Sequence, residues 1–279
     1  MTRFEVWGDP IDHSLSPRLH TAAYAALGWD RDYGRRQVDE ESFAAQLGSL
    51  APDIGGLSLT FPLKGVAFAA ATWRDAAAEL TGAVNTLVPT ATGGFDGYNT
   101  DVGGIVADLR TQGIDGISRA RIVGAGATAT SALVALHELG AEDVDLFARR
   151  PEAVAPLAAV GEQLGVRVSA RPLDAQASDA PEPVQVTIAT VPGGAAVPPE
   201  ATRRLAETGG LLYDVVYGHW PTALAEAWQA EGGPAVNGLG MLVQQAVRQI
   251  RIFRTGDPHT PLPREDVIVD VMRSALMGD

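Results

Sequence analysis

The feature that most restricts how this chain can fold is a regular alternation, from residue 120 onward, of short apolar runs with Ala/Leu-rich segments at helical spacing. Residues 120–123 predict a strand, 124–128 a glycine-bearing turn, and 128–139 a helix ended by Gly140. Residues 143–148 predict the next strand and 151–164 the next helix, with further strands at 184–189 and 211–215. Such repetition builds a mostly parallel sheet with right-handed crossovers. The polar, proline-bearing stretch 175–183 reads as a surface connection. Beyond Asn237-Gly238 the chain turns helical at 239–253 and 264–276.

The first hundred residues alternate in the same way. A strand at 3–7 runs into Gly8-Asp9-Pro10, and Ser16-Pro17 reads as a hydroxyl N-cap followed by proline at the first helical position. Leu19, Ala23, Ala26 and Leu27 carry that helix to Gly28. Residues 42–50 predict a helix, 56–60 a strand halted by Phe61-Pro62, and 85–89 with 94–99 two strand pieces; Thr100 is expected to cap a helix over 101–112. At 279 residues the chain is long for one compact domain and suits two. The expected fold class is α/β with two domains. Residues 1–102 are expected to form a first α/β domain, 103–237 a Rossmann-like doubly wound second domain, and 238–279 helices packing back on the first.

Composition excludes several classes. Hydrophobic residues make up 46% and charged residues 20%, as in ordinary globular chains. A net charge of −13 argues against a broad nucleic-acid-binding surface, so anions must be held by local basic groups and backbone amides. With no cysteine there is no disulfide, thiolate nucleophile or zinc–thiolate site, which fits a reducing compartment. The first nine residues lack the apolar core of a signal peptide, and no run reaches the roughly 18 apolar residues of a membrane span. A cytoplasmic protein is expected. The five histidines show no metal-ligand spacing, and neither a G-x-S-x-G elbow nor a Walker loop occurs, so no metal is expected.

Gly124-Ala125-Gly126-Ala127-Thr128-Ala129 fits G-x-G-x-x-G/A between a predicted strand and a predicted helix. Glycines at the fixed positions allow a tight turn and close approach of a pyrophosphate, while the helix start supplies N–H groups and a positive dipole. NAD sites usually place an acidic residue about 20 residues further on. Here that position reads Ala148-Arg149-Arg150, and Asp145 falls inside the strand. Two guanidiniums suit a 2′-phosphate, so NADP(H) is the expected cofactor.

In the first domain Ser14, Ser16, Thr60, Lys64, Asn85 and Asp101 fall on loops, strand ends or a first helical turn. Spacing alone does not select a catalytic pair among them. The motifs do carry a resemblance: Gly8-x-Pro10-Ile11-x-His13-Ser14-x-Ser16-Pro17-x-x-His20, Leu59-Thr60-x-Pro62-x-Lys64, Gly82-Ala83-Val84-Asn85-Thr86-Leu87 and Asn99-Thr100-Asp101. With the glycine turn, Tyr213-Asp214-x-x-Tyr217 and Gly238-Leu239-Gly240-Met241-Leu242-Val243-x-Gln245, the chain resembles the shikimate dehydrogenase family over nearly its whole length.

That resemblance implies reversible NADPH-dependent reduction of 3-dehydroshikimate to shikimate, in the chorismate route to aromatic amino acids. It implies Lys64 and Asp101 as the catalytic pair. Ser14 and Ser16 would hold the substrate carboxylate, with Thr60, Asn85, Tyr217 and Gln245 completing the pocket. Gly124, Ala125, Gly126, Ala127, Thr128, Arg149 and Arg150 would bind the cofactor, with the Val215 and Gly238 backbones near the nicotinamide. The chain departs from the family at Ser58, where asparagine is common, and at Ala148-Arg149-Arg150, where Asn-Arg-Thr is usual. It also lacks the common proline two residues after Tyr217. A quinate/shikimate dehydrogenase is the alternative enzyme, disfavoured by serine at both loop positions and by the arginines. A catalytically idle dinucleotide- or shikimate-binding sensor is the alternative class, disfavoured by intact Lys64 and Asp101.

Overall fold

A computed structural model of the chain describes residues 2–173, 181–192, 194, 197–218 and 220–277. The chain forms two compact units, Met1–Gly104 with Leu242–Asp279, and Ile105–Met241.

The first unit holds strands β1 (Arg3–Gly8), β2 (Asp32–Gln37), β3 (Ile54–Leu59), β4 (Trp73–Arg74), β5 (Thr86–Pro89) and β6 (Phe95–Tyr98). They form one mixed sheet in the order β2-β1-β3-β5-β6-β4. Strands β1, β2 and β3 run parallel, whereas β5 is antiparallel to both β3 and β6. The carboxyl ends of β1, β3 and β6 and the amino end of β5 therefore share one sheet edge, which gathers Gly8, Thr60, Asn85 and Asn99-Thr100-Asp101. Helices α1 (Ser16–Leu27), α2 (Glu40–Gly48), α3 (Lys64–Ala70) and α4 (Ala76–Thr81) connect these strands, and α5 (Thr100–Thr111) leads out of β6.

Period-two alternation buries both faces of β1. Phe4 and Val6 pack with Leu19, Tyr24, Val247, Ile250 and Met272, while Trp7 packs on the other side with Phe43, Leu57, Leu63 and Leu87. The last two helices of the chain thus supply one layer of this unit. Gly56 admits them: a Cβ there would strike the ring of Phe253, which stacks on Phe4 at 4.5 Å.

The second unit contains β7 (Arg119–Val123), α6 (Ala127–Glu138), β8 (Asp143–Ala148), α7 (Ala155–Leu164) and β9 (Arg167–Pro172). It continues with β10 (Val186–Ala189), α8 (Pro199–Thr208), β11 (Leu211–Asp214), α9 (Ala223–Ala230) and β12 (Ala235–Val236). All its strands pair in parallel, in the order β12-β11-β10-β7-β8-β9. Counted from β7 this is the doubly wound dinucleotide order, with its switch point between β7 and β10. Helices α10 (Leu239–Thr255) and α11 (Glu265–Met277) follow.

The structure corrects several local expectations. Helix α1 already includes Ser16, with Leu15 helical at the cap position, and it is the Ser14 hydroxyl that accepts weakly from the Ser16 N–H at 3.4 Å. Thr100 likewise lies inside α5; Asn99 Oδ1 caps it, accepting from the Asp101 and Val102 N–H groups at 3.0 and 3.4 Å. The helix expected over 151–164 opens with a 3-10 turn at Pro151–Val154, which the proline favours. Strand β3 starts two residues earlier than expected. The expected surface connection 175–183 lies outside the described residues up to position 180.

Buried His20 stacks on Tyr33 at 3.9 Å, and burial pushes its imidazole from 6.5 down to about 3. Between these values the unfolded chain takes up a proton that the fold excludes, so stability falls as pH drops through this window. Replacing His20→Phe is expected to flatten the urea-unfolding stability of the first unit against pH between 6.5 and 3 by up to about 1.4 kcal/mol per pH unit. Identical slopes for the two proteins would show that His20 is not held neutral.

Candidate active site

At the shared edge of the first sheet, parallel β1 and β3 end side by side. The Thr60 N–H donates to the Trp7 carbonyl at 3.0 Å and the Asp9 N–H to the Phe61 carbonyl at 3.0 Å. Gly8 is needed for this approach, because a Cβ would strike Thr60 and the Phe61 carbonyl. The turn after Thr60 places Lys64 as the first residue of α3, and its carbonyl accepts from the Val84 N–H at 3.0 Å, tying it to the residue before Asn85.

Lys64 Nζ donates to Asp101 Oδ2 at 2.5 Å, with the two side chains only 16% and 5% exposed. The other carboxylate oxygen, Oδ1, accepts from Asn85 Nδ2 at 2.8 Å. Asp101 also sits in the first turn of α5, where the helix dipole favours a negative charge. Asn85 is oriented without ambiguity. Its Oδ1 accepts from the Thr100 N–H and the Thr86 hydroxyl, both at 2.9 Å, so Nδ2 must face Asp101 and Thr100 Oγ1. Asn99 locks the neighbouring turn by donating to Thr81 Oγ1 and the Ala83 carbonyl at 2.8 and 3.1 Å. Gln245 joins through Thr100 Oγ1, which approaches its Oε1 at 3.5 Å, and Gly104 makes room for it, since a Cβ there would press on the Gln245 backbone.

Lys64, Asn85, Asp101 and Gln245 thus form one hydrogen-bonded cluster. Ser14 and Thr60 stand on loops of the same sheet edge, and Ser16 opens α1 beside Ser14. Buried Thr86, Asn99, Thr100 and Gln249 belong to the cluster but were not among the expected site residues. The available signal for Gln249 was its position one helical turn after Gln245, which puts both on one face of α10.

In the second unit the glycine turn follows β7 at the switch point. Gly124 has φ +117° and a Cβ there would strike Thr190, the residue that follows β10. Gly126, the N-cap of α6, is different: its φ is −94° and nothing lies within 4 Å of its Cβ position. Neither backbone strain nor packing requires glycine there, but an approaching pyrophosphate would. The first N–H groups of α6 have no partner inside the helix, and Ala129 is fully buried. These residues, including Ala125, Ala127 and Thr128, fit a dinucleotide.

Arg149 and Arg150 lie exposed directly after β8. Asp145 is buried inside that strand and pairs with Arg119 and Arg171 at 3.5 and 3.3 Å, so it is occupied away from any ribose. Val215 and Gly238 lie against each other, since a Cβ on Gly238 would strike the Val215 carbonyl. Asp214 holds the intervening loop, accepting from the Val216 N–H at 3.0 Å and the Thr222 hydroxyl at 2.7 Å. Burial raises both the Asp214 carboxyl and the Tyr217 phenol above their ordinary values.

Comparison with known proteins accounts for both halves. Residues 6–87 match the shikimate dehydrogenase substrate binding domain. An NADP(+) shikimate dehydrogenase of Citrifermentans bemidjiense is 37% identical over 90% of this chain and 89% of its own length. The chain belongs to the shikimate dehydrogenase family. The Mycobacterium tuberculosis shikimate dehydrogenase structure has a TM-score of 0.85 and 35% identity, covering 100% of both chains. A Thermus thermophilus shikimate 5-dehydrogenase solved with NADP(H) and shikimate has a TM-score of 0.79 and 29% identity, covering 99% of this chain and 100% of that one. A further relative, the pentafunctional AROM polypeptide of Malassezia globosa, is far longer, and this family member spans only 18% of it. Among the described residues no helix is long and apolar enough to cross a membrane.

The two glycines of the turn separate folding from cofactor binding. Gly126→Ala should leave the melting temperature unchanged while raising the KM for the nicotinamide dinucleotide several-fold. Gly124→Ala should destabilise the fold by about 1–3 kcal/mol as well, because of its positive φ. Equal loss of stability in both variants would contradict the distinction.

Proposed function

We infer that this chain catalyses the reversible NADPH-dependent reduction of 3-dehydroshikimate to shikimate. The observation that carries the reading is the Lys64–Asp101 pair, held at 2.5 Å by Asn85 at a sheet edge that also presents Ser14, Ser16 and Thr60. NADPH, when bound, supplies the hydride for the substrate carbonyl carbon.

The protein's task is then to bind an anionic cyclohexene, stabilise charge on the carbonyl oxygen and deliver a proton to it. Lys64 Nζ suits both of the last two roles: its ammonium donates a hydrogen bond to the oxygen and passes it a proton as charge develops. Asp101 keeps Nζ aimed and shares the proton balance when Lys64 is left neutral. Ser14 and Ser16 serve the substrate carboxylate at the amino end of α1, where the dipole and free N–H groups favour an anion. Local donors of this kind are required against the overall charge of −13. Thr60, Asn85, Gln245 and Tyr217 complete the assignment to substrate.

We assign residues 1–102 and 238–279 to substrate binding and 103–237 to the nucleotide. Residues 124–128 would hold the pyrophosphate, Arg149 and Arg150 the 2′-phosphate, and the Val215 and Gly238 backbones the nicotinamide. The assigned site needs residues from one chain only, which suits a monomer or homodimer, and the absence of cysteine suits the cytoplasm.

Two measurements test this reading. Lys64→Ala should lower kcat for NADP+-dependent shikimate oxidation about 10²–10⁴-fold with little change in shikimate affinity; unchanged kcat with a raised KM would remove Lys64 from the chemistry. Arg149→Ala combined with Arg150→Ala should raise the KM for NADP+ about 10–100-fold and leave that for NAD+ nearly unchanged, the difference being charge-assisted bonds to one phosphate. Equal losses with both coenzymes would contradict the 2′-phosphate assignment.

A further inference from the structure

Gln249 is 2% exposed on α10, and all its amide groups are engaged. Its Oε1 accepts from the Ser58 hydroxyl at 2.8 Å, and its Nε2 donates to the Thr86 hydroxyl at 3.1 Å and to the Asn85 carbonyl at 3.2 Å. The Ser58 hydroxyl in turn accepts from the Tyr33 phenol at 2.6 Å. On the other side, Thr86 accepts from the Gln249 amide and donates its single proton to Asn85 Oδ1 at 2.9 Å.

These bonds follow one direction. The donor hydrogens point from Tyr33 to Ser58, from Ser58 to Gln249, from Gln249 to Thr86, from Thr86 to Asn85, and from Asn85 Nδ2 to Asp101 Oδ1. The far end is fixed because an ionised carboxylate only accepts. The near end is fixed because burial drives the Tyr33 phenol well above its ordinary value, so it keeps its proton. Aligned hydrogen bonds polarise one another, and the effect is largest away from water; Ser58, Thr86, Asn85, Asp101 and Gln249 are all buried. The amides cannot relay a proton under ordinary conditions, so the chain orients and polarises rather than conducts.

We propose that Gln249 and Thr86 are positioning residues for the reaction: through a one-way hydrogen-bond chain they fix the Asn85 amide, and through it the carboxylate that aims Lys64. Ser58, a departure from the asparagine common in the family, is the link that lets Tyr33 anchor the chain. The proposal rests on the proposed function. It also differs from a purely structural role for Gln249, which would glue α10 to the sheet without touching turnover.

The test is steady-state kinetics of NADP+-dependent shikimate oxidation on the full-length enzyme, alongside thermal melts. Thr86→Val, which keeps shape and loses the hydroxyl, should lower kcat about 5–10-fold, the equivalent of one hydrogen bond, with the shikimate KM changed less than about twofold. Thr86→Ser should recover kcat to within about threefold of the parent. Gln249→Met should match Thr86→Val, and the double variant should be no slower than the worse single one, because both cut the same chain. Unchanged kcat in Thr86→Val, a loss confined to KM, or multiplicative losses in the double variant would overturn the proposal. If Gln249→Met fails to fold, the Thr86→Val and Thr86→Ser pair decides alone. Absence of turnover in the parent enzyme would instead strike the proposed function.

Discussion

A lysine ammonium held against a mostly buried carboxylate is the interaction on which the candidate site depends. Taking two charges out of water is costly, and such a pair persists only when its remaining hydrogen-bonding capacity is met. Here Lys64 occupies one oxygen of Asp101, Asn85 the other, and the Asp101 N–H is capped by Asn99. The helix dipole of α5 adds to the same preference. The sheet topology makes this convergence possible: only because β5 runs against β3 and β6 do the segments carrying Lys64, Asn85 and Asp101 meet at one edge.

The second unit solves a different problem by different means. A dinucleotide presents phosphates, and the fold offers backbone N–H groups and space rather than charge. Gly124 is glycine because the strand–turn geometry and Thr190 demand it, whereas Gly126 is glycine with no such demand from the protein itself. That contrast separates a glycine that the fold requires from one that it does not. The arginines after β8 then provide local positive charge in an acidic chain, in the place where a carboxylate would favour the unphosphorylated ribose.

Much of this arrangement is legible in the sequence, for identifiable reasons. The central parallel strands of the second unit, β7, β8 and β10, are buried on both faces and therefore read as apolar runs, and the bounds of β8 coincide with the sequence expectation. Edge strands were not legible: β2 reads Asp-Tyr-Gly-Arg-Arg-Gln and β9 Arg-Val-Ser-Ala-Arg-Pro, polar patterns that only pairing with a central strand makes extended. The caps at Ser16 and Thr100 were misplaced by one or two residues because a hydroxyl beside a helix start satisfies the same rule whether it stands inside or outside the first turn. For Gln249 the sequence offered only its place one helical turn after Gln245, not its role. Its role comes from contacts with Ser58 and Thr86, 191 and 163 positions away, and no local pattern encodes that.

The central claim is that the Lys64 ammonium itself supplies the proton and the charge at the substrate oxygen. Chemical rescue of a Lys64→Ala enzyme by small primary amines measures this most directly, because the cavity left by the side chain can admit a free ammonium beside Asp101. Shikimate turnover should rise with methylamine or ethylamine concentration, with no such gain in an Asp101→Ala, Lys64→Ala double variant. A folded, shikimate-binding Lys64→Ala enzyme indifferent to added amine would contradict it.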